Sequence, residues 1–266
     1  MTPYENFRNH RLRRGVYLLP SAMTVANLLC GYYAILATLR GSLVDLDNAA
    51  KAIGFAILFD TLDGRIARLT GTHSEFGKQL DSLADVVSFG IAPAFLAFAW
   101  GVRGLLGSGA TEAASVYDFG WLVTFGFVIC CAWRLARFNV HGMADHASKY
   151  FVGLPTPAAA GMVAATVHAL KVPLDDWRHS LLWMALIAAL AALMAGTVRY
   201  YSFKNIPWGR RYPSLTVVVL GLLAVAILRF SEPVLLLMAG TYVLSGATFE
   251  LVRLVRYRWV SRPVER

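Results

Sequence analysis

Long apolar stretches separated by short polar turns dominate the pattern along this chain. Stretches long enough to cross a hydrocarbon core of about 30 Å run near residues 21–39, 49–68, 79–101, 119–138, 155–171, 180–198, 213–230 and 233–252. They lack the strict alternation of a β-barrel, and an open sheet edge cannot be satisfied in lipid. The pattern therefore predicts an all-α, polytopic membrane protein with about eight transmembrane helices. Residues 4–19 mix Phe7, Leu12, Val16 and Tyr17 with four arginines, which suits an amphipathic helix lying on an anionic leaflet, the bland alternative being a disordered basic tail. The expected organisation is a basic juxtamembrane segment over 1–20, one transmembrane domain over 21–255 and a basic cytoplasmic tail over 256–266, with no soluble domain and no internal repeat.

Composition agrees with a bilayer environment: 57% of residues are hydrophobic and the mean hydropathy is +0.54, against about 45–50% apolar residues in soluble domains. Charge adds the orientation. Of the 25 lysines and arginines, 19 fall in segments that share a side with the N-terminus and six on the other side. Basic residues collect on the cytoplasmic face, so both termini are expected there. This bias accounts for the basic excess, and no basic run interleaved with aromatics argues for a nucleic-acid partner. The first apolar run follows Pro20 and lacks a convincing small-residue cleavage site, so it is expected to remain as a span. Cys30, Cys130 and Cys131 lie in apolar stretches without C-x-x-C spacing and read as packing residues.

Chemistry concentrates in residues 60–85, DTLDGRIARLTGTHSEFGKQLDSLAD, which leave the second span, cross a polar turn and enter the third. Asp60 and Asp63 are three apart and Asp81 and Asp85 four apart, so each pair shares one helix face. Two antiparallel helices joined by a turn bring the pairs together. Four carboxylates about 5 Å apart repel by roughly 3 kcal/mol per pairing, or about 20 kcal/mol over the six pairings. Such a cluster needs compensation. Oxygen-only ligation with four negative charges suits two hard divalent cations, Mg²⁺ or Mn²⁺; the bland alternative pairs the aspartates with Arg65, Arg68 and Lys78 or leaves some in water. Gly64, Ala67 and Gly77 allow a ligand or a second helix to approach the backbone closely, and Arg68 suits bidentate engagement of a phosphate.

These positions, Asp60, Asp63, Gly64, Ala67, Arg68, Gly77, Asp81 and Asp85, match D-x-x-D-G-x-x-A-R-x8-G-x3-D-x3-D without departure. The segment resembles the signature of the CDP-alcohol phosphotransferase family. That resemblance implies a CDP-alcohol phosphotransferase-like helical membrane fold, a homodimer, and a binuclear metal site facing the cytoplasm, in a bacterial inner membrane. It makes Asp60, Asp63, Asp81 and Asp85 metal ligands, with Asp85 also the base for the acceptor hydroxyl. Asp60, Gly64, Ala67, Arg68 and Gly77 would line the cytidine diphosphate.

The acceptor alcohol must be read elsewhere. Asn27-Leu28, the run from Asp81 to Pro93, residues Arg134 to Asn139 and Gly153-Leu154-Pro155-Thr156-Pro157 together resemble the serine phosphatidyltransferases of that family over roughly residues 20–160. This implies CDP-diacylglycerol and L-serine as substrates. Asn27, Ser88, Arg134, Arg137 and Asn139 are the candidates for the acceptor pocket, with Arg134, Arg137 and Asn139 alternatively holding the lipid phosphate; positive-inside anchoring of the arginines and a helix-packing role for Ser88 are the plain alternatives. Lys149 reads as an interfacial anchor. Choline, glycerol phosphate or an inositol phosphate are the competing acceptors, and a cation transporter using intramembrane aspartates is the competing class. The histidines form no metal set: His10 and His179 flank spans, His141 and His146 share a polar loop, His168 is isolated, and His73 lies in the turn between the aspartate pairs.

Overall fold

The computed structural model describes residues 3–71, 75–107, 111–141, 150–201 and 213–260. Its helices are α1 (Pro3–Arg40), α2 (Leu43–Thr70), α3 (Glu75–Asp85), α4 (Ala92–Gly101), α5 (Thr111–His141), α6 (Thr156–Leu170), α7 (Trp177–Ala195), α8 (Pro213–Arg229) and α9 (Ser231–Val260). A π-helical segment, Val86–Ile91, links α3 to α4 as one rod. Among the described residues these make eight helical rods, at the eight expected places. Helix α1 runs through Pro20, so the basic segment continues into the first span without a break in the backbone.

Ser21–Arg40, Glu75–Leu105, Ala114–Val140 and Trp177–Ala195 are long and apolar enough to cross a membrane, and Thr156–Leu170 and Val217–Arg229 are shorter apolar helices. Helix α2 has the length, 28 residues, but carries the charged motif in its second half. Its ends follow from local chemistry. The Ser42 hydroxyl accepts from the Asp45 backbone N–H at 3.1 Å, while Gly71 adopts φ +64° and closes the last turn onto the Ala67 carbonyl.

Two short strands accompany the helices of this otherwise all-α fold. β1 (Tyr150–Val152) pairs antiparallel with β2 (Arg199–Tyr201), Phe151 opposite Tyr200. The apolar run expected to span 180–198 therefore ends as helix at Ala195; Gly196 is extended, and the β-branched and aromatic residues Val198 and Tyr200 favour the pleated conformation.

Small buried residues let the helices approach closely. Ala34 and Ala37 of α1 and Ala49, Ala52 and Ala56 of α2 are buried, while Leu29, Tyr32, Leu36 and Phe55 point outward, as lipid-facing side chains do. Deeper in the bundle, Trp100 and Trp183 meet edge to face at 4.9 Å, and Trp183 Nε1 donates to the Ala97 carbonyl at 2.9 Å. A Cβ on Gly101 would sit 2.0 Å from the Trp183 ring, so only glycine permits this crossing.

At the end remote from the aspartates, three rods are joined by side chains. His168 near the end of α6 lies 2.5 Å from Asp47 Oδ1 in α2 through Nδ1 and 2.9 Å from Ser231 Oγ at the start of α9 through Nε2. An ionised Asp47 only accepts, so Nδ1 carries the proton and Nε2 accepts from the Ser231 hydroxyl. His168, isolated in sequence, is thus the middle of an interhelical relay. Asp47 also pairs with Lys51 at 2.7 Å, and Lys171 pairs with Glu232 alongside.

Candidate active site

The carboxylates converge as the helical spacing predicts. Asp60 and Asp63 project from α2 and Asp81 from α3, and carboxylate oxygens of these three lie within 4.8 Å of one another. Asp63 is buried, Asp60 and Asp81 are half-buried, and one Asp81 oxygen is buried without a hydrogen-bond partner. Among the described residues no lysine or arginine forms an ion pair with any of the four aspartates. The Arg68 side chain lies outside the described residues, as do His73, His146 and Lys149. Three carboxylates without a cationic partner among the described residues, and an orphaned oxygen, fit an oxygen-ligated divalent cation, the donor set that hard metals select.

Asp85 stands apart from that group of three, one turn beyond Asp81 and buried. Asn27 Nδ2 of α1 donates to Asp85 Oδ1 at 3.1 Å, and Thr24 Oγ1, three residues earlier on the same face, donates to Asp63 Oδ2 at 3.1 Å. Helix α1 therefore holds one carboxylate of each pair. Thr24 is a site residue that the motif did not reveal. Its signal was the Thr24–Asn27 spacing, which puts two polar side chains on one face of an otherwise apolar span.

The π-helical segment explains how α1 gets so close. The Ala92 N–H bonds to the Val87 carbonyl, five residues back, just before Pro93, whose ring crowds the carbonyl four residues upstream and which has no N–H to offer. Ser88 in this wide turn is fully buried and donates to the Asn27 carbonyl at 3.0 Å. A Cβ on Gly31 would lie 2.4 Å from Ser88 Oγ, and one on Gly90 would lie 3.2 Å from Cys131 Sγ. Two glycines thus admit α1 on one side of the segment and α5 on the other.

The nucleotide candidates Gly64, Ala67 and Gly77 are half-buried around the carboxylates. A Cβ on Gly64 would meet nothing within 4 Å, so space is open beside Asp63. The remaining acceptor candidates separate. Arg134 is buried, its Nε lacks a partner, and it lies within electrostatic reach of Asp85 and Tyr242. Arg137 instead donates to the carbonyls of Ala195 at 3.1 Å, Gly196 at 3.2 Å and Val152 at 3.3 Å, closing the end of α7 onto β1. Asn139 donates to Ser82 Oγ at 2.9 Å, tying the end of α5 to α3.

Comparison with known proteins places this arrangement. Residues 17–194 match the family model for CDP-alcohol phosphatidyltransferases, beyond the stretch over which the sequence motifs are legible. A CDP-diacylglycerol–serine O-phosphatidyltransferase of Helicobacter pylori is 34% identical over 241 residues, 87% of this chain and 90% of that protein. Enzymes of the same name are 31% identical in Mycobacterium leprae, over 82% of this chain and 70% of that protein, and 34% identical in Methanocaldococcus jannaschii, over 65% and 74%. With the carboxylate cluster in place and the match covering most of its length, the chain belongs to the CDP-alcohol phosphatidyltransferase family.

Proposed function

We propose that this protein transfers the phosphatidyl group of CDP-diacylglycerol to L-serine, giving phosphatidylserine and CMP, as a homodimer in a bacterial inner membrane with its active site and both termini on the cytoplasmic side. The observation that carries the reading is the buried Asp85, held by Asn27 beside the three clustered carboxylates. The near full-length similarity to proteins named as serine phosphatidyltransferases supports serine as the acceptor.

Asp60, Asp63 and Asp81, with Asp85 as the fourth ligand, would hold two divalent cations, Mg²⁺ or Mn²⁺. Bound there, the cations supply neutralisation of the diphosphate charge. The other roles belong to the chain. Asp85 takes the proton from the serine hydroxyl, whose oxygen attacks the lipid-bearing phosphorus; the new O–P bond forms as the bond to CMP breaks, and no covalent enzyme intermediate is needed. Gly64, Ala67, Arg68 and Gly77 leave room for and contact the cytidine diphosphate. Arg134 suits the serine carboxylate, because a buried guanidinium with an unpartnered Nε favours an anion. It is the only buried lysine or arginine among the described residues, which fits a singly charged carboxylate better than a phosphorylated acceptor.

The test incubates purified protein with CDP-diacylglycerol, Mn²⁺ and, in parallel, labelled serine, choline, glycerol phosphate and inositol phosphate. Serine is expected to be the preferred acceptor. Labelling of serine no better than the others removes it, and metal flux into vesicles without CMP release would favour a cation transporter instead.

A further inference from the structure

The Asn27 side chain is fully buried, and its two ends differ. Nδ2 donates to Asp85 Oδ1, while Oδ1 has no hydrogen-bond partner. Exchanging the two ends would set an amide oxygen against a carboxylate, so the arrangement is fixed by Asp85 when ionised. A buried acceptor left unpaired costs about 1–3 kcal/mol, and among the described residues none donates to it. The Asn27 backbone carbonyl is already occupied by Ser88, which pins the residue in place. The vacant oxygen is therefore held rigidly beside the carboxylate that receives the acceptor's proton, and it calls for a donor.

We infer that Asn27 is a specificity-determining residue: its Oδ1 accepts a hydrogen bond from the ammonium of the acceptor, so that the site selects 1,2-amino alcohols. The inference rests on the phosphatidyl-transfer reading and adds the reason for an amino alcohol. In such a molecule the ammonium and hydroxyl sit on adjacent carbons. An amide whose oxygen takes the ammonium and whose nitrogen fixes the base brings hydroxyl and base together. Polyols and their phosphates carry hydroxyl groups that satisfy the same oxygen with a neutral donor only, a weaker bond than a charged one.

The two functions of the amide separate by substitution. Asn27→Asp keeps an acceptor oxygen and loses the donor to Asp85; Asn27→Leu loses both. Both variants should turn over more slowly at saturating serine. Only Asn27→Leu should raise the KM for serine, by roughly 10- to 100-fold, the loss expected for a charge-assisted hydrogen bond, with inhibition by 3-hydroxypropanoate, which lacks the ammonium, changed little. An unchanged serine KM in Asn27→Leu, with slow turnover, would reduce Asn27 to a positioning residue for Asp85 and overturn the inference. A measurement on the unaltered protein guards against misfolding: ethanolamine should inhibit serine transfer at least about tenfold more strongly than ethylene glycol, and equal inhibition overturns the inference too. Unaltered protein that releases no CMP with serine, or prefers glycerol phosphate, would instead refute the proposed reaction.

Discussion

Asn27 reaches Asp85 across 58 positions of sequence with a 3.1 Å hydrogen bond between two buried side chains. One is in the first span and the other ends α3, where the backbone passes into the π-helical turn. The bond fixes the carboxylate that stands apart from the three-carboxylate group and leaves its second oxygen for other partners. This separates the work of the four aspartates: three make a cluster, and one is oriented by a neutral amide that does not neutralise it.

Replacement of Asp85 by Asn keeps size and shape but removes the proposed proton acceptor. Turnover is expected to fall by at least about 10³-fold, within the range that general-base catalysis supplies. Substantial binding of CDP-diacylglycerol should remain, because three of the four proposed ligands are intact. Near-normal CMP release by Asp85→Asn would reject it as the base.

The cluster itself predicts a response that does not depend on turnover. Mn²⁺ added to purified protein in detergent should raise its melting temperature, since a ligand at 100 times its Kd stabilises by about 2.7 kcal/mol. Asp81→Asn should abolish most of that increase, as Asp81 supplies the orphaned oxygen. Excess EDTA should stop CMP release. A Mn²⁺ shift as large in Asp81→Asn as in the unaltered protein would place the cation elsewhere.

The eight rods and the carboxylate convergence were legible in sequence because both arise from periodicity: apolar length sets the spans, and three- and four-residue spacing sets the aspartate face. Thr24 escaped because its partner Asp63 is 39 residues away and no local pattern encodes that pairing. The same holds for Arg137. Its basic character reads as an anchor or an anion binder, and its bonds to the end of α7 follow from that helix ending at Ala195 and leaving carbonyls to be capped. The β1–β2 pair escaped because its strands, Tyr150–Val152 and Arg199–Tyr201, lie just outside the apolar runs and are three residues each, too short for a periodicity to show. The π-helical turn had one visible marker, Pro93, whose effect on the hydrogen-bond register depends on the packing of Gly31 and Gly90.

Gly31 tests that packing. Its Cβ would lie 2.4 Å from Ser88 Oγ and 2.8 Å from Ser88 Cα, a backbone atom that cannot rotate away. Gly31→Ala should therefore push α1 off the π-helical segment and cost about 1–3 kcal/mol, the usual penalty of overpacking. Because α1 carries Asn27 and Thr24, activity should fall more than stability. Gly31→Ala with normal kinetics would show that the approach of α1 is not needed for the site.

The relay at the opposite end makes a contrasting prediction, because it touches no site residue. His168→Phe removes the bonds to Asp47 and Ser231 and leaves the Ser231 hydroxyl without its acceptor, at a cost of about 1–3 kcal/mol. The melting temperature should drop by several degrees, while turnover of the folded protein at moderate temperature changes little. The relay also predicts a pH dependence. Burial pushes the Asp47 carboxyl up, but hydrogen bonds from Lys51 and His168 outweigh it and hold the group below its ordinary value of 3.8. A carboxyl lowered in the folded state stabilises above its unfolded pKa and loses that contribution as pH falls through the folded one. From about pH 4 downward, unaltered protein should therefore lose stability faster than Asp47→Asn, which has no such proton to bind. Parallel acid-melting curves for the two proteins would show that the short contact between His168 and Asp47 does not couple folding to protonation there.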